Sequence, residues 1–287
     1  MHAGMRSSRE LFTPVMNIRS TLLALILFSQ AAFMASAQGP FMEIFKENYM
    51  VTGLPLNTKP DWDTNDLTYQ ISARFNVARN IQQQGWDLFF AYTQLALWDV
   101  YKPSNPFKAN TYQYGLYLDK LYDRRQDGLT REFMAGFEHR SNGMDGDNNR
   151  ALSYVFASYT WDLSRILSAQ VTGRIGLGGM GNDTSMDLFT YYQGFVNLGV
   201  CLHTPDRRLM AMASVTPMIH GKIPMNAHVE IAFNPMKDLD WFYLTVRYHY
   251  GYDEDQLECG QSNVFLKHML RFGLSAQPRR MAHKLFF

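Results

Sequence analysis

The chain is 287 residues long and almost neutral, with 27 Lys and Arg against 26 Asp and Glu; no basic stripe is present, so the electrostatic footprint of a nucleic-acid binder is missing and no such partner is expected. Aromatic residues are plentiful (20 Phe, 16 Tyr, 5 Trp), charged residues make up only 18%, and mean hydropathy is nevertheless mildly polar. That mixture argues against a soluble enzyme with a dry core and suits a transmembrane barrel, in which lipid-facing apolar residues and lumen-facing polar ones cancel in the average.

In chain order, Arg6, Arg9 and Arg19 come first, then the apolar run Leu22 to Phe28, then Ala35-Ser36-Ala37 before Gln38. A positive region, a short apolar core and a small-x-small exit predict a secretory signal peptide over 1–37, with translation starting at Met5 or Met16. The competing reading is a single membrane anchor, which needs about 20 apolar residues; Ser29, Gln30 and Ser36 interrupt this one.

Residues 38–276 read as one domain of strands. Leu67, Tyr69, Ile71, Ala73, Phe75 and Val77 alternate with Thr68, Gln70, Ser72, Arg74 and Asn76, a period of two over a length that crosses a bilayer with tilt. Comparable segments follow at 86–100, 111–123, 129–142, 150–163, 166–178, 188–205, 209–221, 227–236, 241–252 and 264–276. With a short stretch at 47–53 they predict an all-β fold, an antiparallel up-and-down transmembrane β-barrel of about twelve strands, an even number as bacterial barrels require. Gly143 to Asn148, Gly178 to Asp183, Thr204-Pro205-Asp206, Asn234-Pro235 and Gly260 to Asn263 mark the joints. A soluble β-sandwich is the alternative, but its strands run about five or six residues. A basic tail, 277–287, follows the last strand. Cys201 and Cys259 lie far apart in the chain; a bridge between them is permitted in an oxidising compartment, but two cysteines do not make a disulfide framework, and two unpaired small hydrophobes is the plainer reading.

The stretch that carries chemistry is Phe133 to Gly143, containing Glu138-His139-Arg140-Ser141-Asn142-Gly143. On a strand, residues two apart share a face, about 6.6 Å apart along it, so His139 and Ser141 project side by side. This pairing lets an imidazole act as general base toward a hydroxyl nucleophile. Glu132, Glu138 and Arg140 have the opposite parity, and a charge facing the bilayer midplane costs a few kcal/mol; the His/Ser pair is therefore expected to face lipid. The hairpin return brings Asn148 and Asn149 near His139, where an Asn side chain could orient the imidazole or simply serve the turn.

The run His139-Arg140-Ser141-Asn142-Gly143, followed by Asn149-Arg150, resembles the outer membrane phospholipase A family, whose motif is His-x-Ser-Asn-Gly with a later Asn-Arg. Tyr92-Thr93-Gln94 with Trp98, Asn105-Pro106-Phe107 with Tyr112, Gly251-Tyr252 with Glu254 and Leu257, and Glu47-Asn48-Tyr49 add to the likeness. The resemblance implies a twelve-stranded barrel in the bacterial outer membrane, calcium-dependent hydrolysis of phospholipid acyl esters, and activation by homodimerisation. It further implies that Ser141 is the nucleophile, His139 the base and Asn149 the orienting residue. Ca²⁺ would be held by oxygens of the loop after the serine, including the Met144 carbonyl, and by a partner-subunit serine in the position of Ser104; Gln94 would lie in the dimer interface.

The loop from Met144 to Asn148 departs from the family by being shorter and by carrying Asp145 and Asp147. Carboxylates suit Ca²⁺ as hard oxygen ligands, and acidic turn residues are equally at home in water. Two other functions stay open at this level: a passive pore or structural barrel without chemistry, and an acyltransferase or deacylase acting on lipid A.

Overall fold

The computed structural model describes residues 41–61, 65–122, 129–146, 149–178, 194–219, 225–236, 238–252 and 267–278. The expected leader over 1–37, Asp147, Glu254, Leu257, Cys259 and the tail from residue 279 lie outside the described residues.

The strands are β1 (Met42–Ile44), β2 (Asn48–Pro55), β3 (Asp66–Ile81), β4 (Trp86–Trp98), β5 (Phe107–Tyr122), β6 (Arg131–Ser141) and β7 (Ala151–Ser164), then β8 (Leu167–Gly178), β9 (Val196–His203), β10 (Leu209–Pro217), β11 (Met225–Phe233), β12 (Phe242–Gly251) and β13 (Lys267–Ala276). From β2 to β13 each pairs antiparallel with the next, and β13 pairs back to β2, closing a barrel of twelve strands. Closure leaves no unpaired edge, the condition for strands to cross hydrocarbon. Every expected strand is present; β9, the eighth of those expected, begins at Val196 where 188 was expected.

Alternation sets the two faces. In β9, Val196, Leu198, Val200 and Leu202 point out while Asn197, Gly199, Cys201 and His203 point in. The outward set continues around the wall through Leu116, Phe137, Val155, Ile175, Val229, Ile231, Val246 and Phe272, all exposed. An apolar surface of that extent is a lipid-facing belt.

The lumen is occupied by side chains. β1 and β2 lie along the same neighbour, β3, but Ile44 pairs with Ala73 and Tyr49 with Gln70; five steps on one side face three on the other, a bulge of two residues. The surplus turns Phe45, Lys46 and Glu47 inward, where all three are buried. Phe45 packs its ring on Phe89 and Tyr117, at 5.3 and 4.8 Å between centroids. Lys46 pairs with Glu138 on β6 at 3.3 Å, and Glu47 with Arg247 on β12 at 2.9 Å. Further buried pairs tie Arg74 to Asp119 and Arg271 to Asp66, each at 3.0 Å. Charges buried this way need partners, since an unpaired one would carry the full desolvation cost.

The strand bounds put the connections 82–85, 123–130, 165–166, 204–208 and 234–241 at one end and 56–65, 99–106, 142–150, 179–195, 218–224 and 252–266 at the other. The second set is longer, the pattern of external loops over short periplasmic turns. β6 ends in Ser141, at the long-loop end.

Candidate active site

β6 is anchored from inside. Glu138, fully buried, meets Lys46 at 3.3 Å and Arg140 Nε at 2.8 Å, and accepts hydrogen bonds from the hydroxyls of Tyr117 (2.6 Å) and Tyr154. Gly115 of β5 pairs with Glu138 across the β5–β6 ladder, where any Cβ would run into the Phe137 carbonyl. Holding residues 138 and 140 in the lumen forces 139 and 141 to the outside, because the strand period is two. His139 and Ser141 are accordingly half-buried on the lipid-facing surface, as the parity argument expected.

Cross-strand register arranges the outward face into rows. One runs Ile71, Gln94, Tyr112, Ser141, Ala151 and the next Ala73, Tyr92, Tyr114, His139, Ser153. The imidazole lies beside the Tyr114 ring, centroids 5.1 Å apart, and its Nδ1 is 2.8 Å from Ser153 Oγ. Ser141 Oγ accepts the Gly143 N–H at 3.1 Å; among the described residues no hydrogen bond joins Ser141 to His139. Gly143 has a φ of 69°, a left-handed conformation that suits glycine, and a Cβ there would sit 2.9 Å from the Tyr112 ring.

Beyond the serine, Asn142 folds the connection. Its Oδ1 accepts the Met144 N–H at 3.2 Å and the Arg150 N–H at 3.0 Å. Asn149 follows, its N–H donating to the Gly146 carbonyl at 3.1 Å and its carbonyl accepting from Arg150 Nη1 at 2.8 Å. These are backbone bonds, and none links Asn149 to His139 among the described residues. Met144 and Asp145 are exposed in this connection. Ser104, with a φ of 71°, is exposed in the 99–106 connection, and no bond joins it to Met144 or Asp145 within one chain among the described residues.

No group of three or more His, Cys, Asp or Glu side chains is gathered among the described residues. The candidate donors are the Met144 carbonyl, the Asp145 carboxylate and the Ser104 hydroxyl, all oxygen, and that chemistry fits a hard cation such as Ca²⁺. Gln94 lies on the outward face in the row of Ser141, its Nε2 donating to Asn110 Oδ1 at 3.4 Å. Ser153 and Tyr114 are the residues that sequence reasoning passed over; Tyr112, noted there only as part of the family likeness, flanks Ser141. Period two puts Ser153 outward, but only the β6–β7 register brings it against His139.

A family model described as phospholipase A1 matches residues 40–263. Over 93 residues the chain is 30% identical to a curated Neisseria meningitidis serogroup B protein whose given name proposes a phospholipase A1; the match takes in 31% of this chain and spans only 24% of that relative's length. The barrel superposes on the outer membrane phospholipase A of Escherichia coli with a TM-score of 0.70, at 19% identity, covering 86% of this chain and 97% of that one. The Salmonella typhi outer membrane phospholipase, solved as a dimer with bound calcium, gives the same figures. At that identity the structural likeness is one of fold. The family match takes in well over half of the chain, which therefore belongs to the phospholipase A1 family.

Proposed function

We propose that this chain is an outer-membrane phospholipase that hydrolyses acyl esters of phospholipids and lysophospholipids, with Ser141 as nucleophile and His139 as general base. The observation that carries the reading is the outward placement of this pair at the long-loop end of a lipid-facing wall. A lumen has no use for such a placement, whereas a phospholipid lying against the barrel presents its ester there. Family membership supports the same substrate class. The residues before 38 are read as the export signal that would deliver the chain to that membrane.

In the reaction, His139 Nε2 takes the hydroxyl proton as Ser141 Oγ attacks the ester carbonyl carbon. The carbon–oxygen bond to the glycerol moiety breaks, and His139 returns the proton to the departing alkoxide, releasing the lysophospholipid. Water, deprotonated by the same imidazole, then cleaves the acyl-serine to free fatty acid. The Gly143 N–H, already 3.1 Å from Oγ, is placed to donate to the carbonyl oxygen as it gains charge. Asn149, the residue that the family resemblance assigns to orient the imidazole, completes a Ser-His-Asn triad.

Calcium is proposed as the cofactor, held by the Met144 carbonyl and the carboxylates of Asp145 and Asp147, with Ser104 reaching in from a second copy of the chain. When bound, it would supply Lewis-acid stabilisation of the developing oxyanion. A site shared in this way is incomplete in one subunit, so activity is expected of the homodimer, with Gln94 and Asn110 in its interface. Purified protein should release fatty acid from phospholipid micelles, lose that activity on chelation and regain it on calcium titration. Ser141→Ala should lower kcat by about 10⁴-fold or more; full activity in that variant would sink the assignment.

A further inference from the structure

The wall that carries His139 and Ser141 at its long-loop end carries charge at its short-loop end. Phe133 lies eight residues before Ser141 on β6, about 26 Å along the strand and about 20 Å along the membrane normal at the usual tilt. Between the His139 and Phe133 rows the outward residues of β5, β6 and β7 are Leu116, Leu118, Ala135, Phe137, Val155 and Ala157, all apolar. The Phe133 row therefore stands at the lower edge of the apolar belt, which is about 25 Å tall in barrels of this kind.

Two cations occupy that edge on the outward face. Lys120 of β5 pairs with Trp86 of β4 on one side and with Phe133 on the other. The Trp86 and Phe133 rings meet edge to face, centroids 6.1 Å apart, and Lys120 Nζ lies 5.3 Å from the Trp86 centroid and 5.4 Å from that of Tyr122. Tyr122 is two residues nearer the strand end, so the ammonium is carried toward water while its stem stays among the rings. Arg131, exposed, pairs with Tyr122 and with Trp161 of β7. It is the diagonal neighbour of Lys120, a separation of about 7–8 Å that two long side chains can close on one ligand. Among the described residues no carboxylate pairs with Lys120 or Arg131, whereas Arg79 on the same rim is paired with Glu43 at 2.9 Å. On β9 to β12 the same level is held by Leu202, Leu209, Phe233 and Leu244, exposed and apolar.

We propose that Lys120 and Arg131, walled by Trp86, Tyr122 and Trp161, bind the phosphate of an anionic phospholipid in the periplasmic leaflet. Two cations without a protein counterion at the edge of hydrocarbon match a phosphodiester, which brings its negative charge to that depth. The rings beside them suit the glycerol and upper acyl region of the same molecule. This lipid lies at the other end of the wall from His139 and Ser141, so it seats the barrel in the membrane and is not the substrate. Its binding is independent of any chemistry at Ser141.

Native mass spectrometry of the full chain in detergent tests this, in the Ser141→Ala background so that no lipid is consumed. Phosphatidylglycerol, phosphatidylcholine and glycerophosphate are titrated separately. A cation near the membrane surface contributes about fivefold to binding an anionic lipid, so the parent should hold its first phosphatidylglycerol about 25-fold more tightly than phosphatidylcholine. Lys120→Gln and Arg131→Gln should each reduce that preference about fivefold, and the double variant should lose it. Arg79→Gln, which removes the same charge from a paired position on the rim, should bind as the parent does. Glycerophosphate, without acyl chains, should not compete. If the double variant does not show the gel shift of a folded barrel, Arg131→Gln alone, at an exposed position, carries the comparison.

Equal binding of the two lipids by the parent overturns the proposal, and so does an undiminished preference in the double variant. A loss as large in Arg79→Gln overturns it in favour of general attraction by the rim. Competition by glycerophosphate overturns it in favour of a site for free anions.

Discussion

Glu138 and His139 are neighbours in sequence with opposite duties. Glu138, buried in the lumen between Lys46, Arg140, Tyr117 and Tyr154, holds β6 in place, and His139, one residue on, faces lipid. Charge is the reason for the division: a carboxylate can be buried when cations and hydroxyls meet it, and removing one partner of a buried pair costs about 3–5 kcal/mol. Glu138→Gln should therefore destabilise the barrel by that amount, read as a fall in the denaturant midpoint of tryptophan fluorescence. The variant leaves Ser141 and His139 untouched, so the activity of the folded fraction should fall far less than in Ser141→Ala.

At the scale of elements, the β6–β7 hairpin is the working unit. It carries His139 and Ser141 on one strand and Ser153 on the other, and Asn142 ties its ends through Met144 and Arg150. Gly143 is its tightest point, with a positive φ and the Tyr112 ring close by. Gly143→Ala adds about 1–2 kcal/mol of left-handed backbone strain and crowds Tyr112. The expected outcome is a barrel that still folds and shifts on gels after heating, with kcat reduced because the N–H that meets Ser141 Oγ is displaced. Unchanged kcat in that variant would remove Gly143 from the site. The outer face of β9 is a different kind of element, plain lipid contact: Leu198→Arg places a charge in the apolar belt at a cost of about 2–4 kcal/mol near the bilayer midplane. Vesicle insertion assays should show that loss.

The whole molecule is a closed wall around a filled lumen. The two-residue bulge between β1 and β2 sends Phe45, Lys46 and Glu47 across to β4, β5, β6 and β12, so opposite walls are joined by ion pairs and aromatic contacts. The His139/Ser141 pair stands on the outside of this wall. The outside is also where Gln94 of β4 and Asn110 of β5 form a polar pair, beside the Tyr112 of β5 that flanks Ser141. A polar pair in lipid is a natural contact for a second copy, and the proposed dimer would bring a second Ser104 toward the first site. Gln94→Ala should cost the dimer about 1 kcal/mol. Cross-linking in calcium-loaded detergent should then show a dimer constant weakened by about fivefold, with activity falling in parallel; undiminished cross-linking would place the interface elsewhere.

The sequence by itself determined the barrel, its twelve strands and the outward parity of His139 and Ser141, because these follow from a local period of two and from the cost of charge in lipid. Residues such as Leu67 to Val77, or Val196 to Leu202, announce their faces without reference to any other strand. Only the tertiary structure decided what lies beside what. Ser153 meets His139, Gln94 shares a row with Ser141, and Lys46 reaches Glu138 through cross-strand register and through a bulge whose extra residues leave no periodic trace. The physical reason is that alternation encodes the direction of a side chain but not its partner, since register is a property of two strands and every partner in the site comes from a different one.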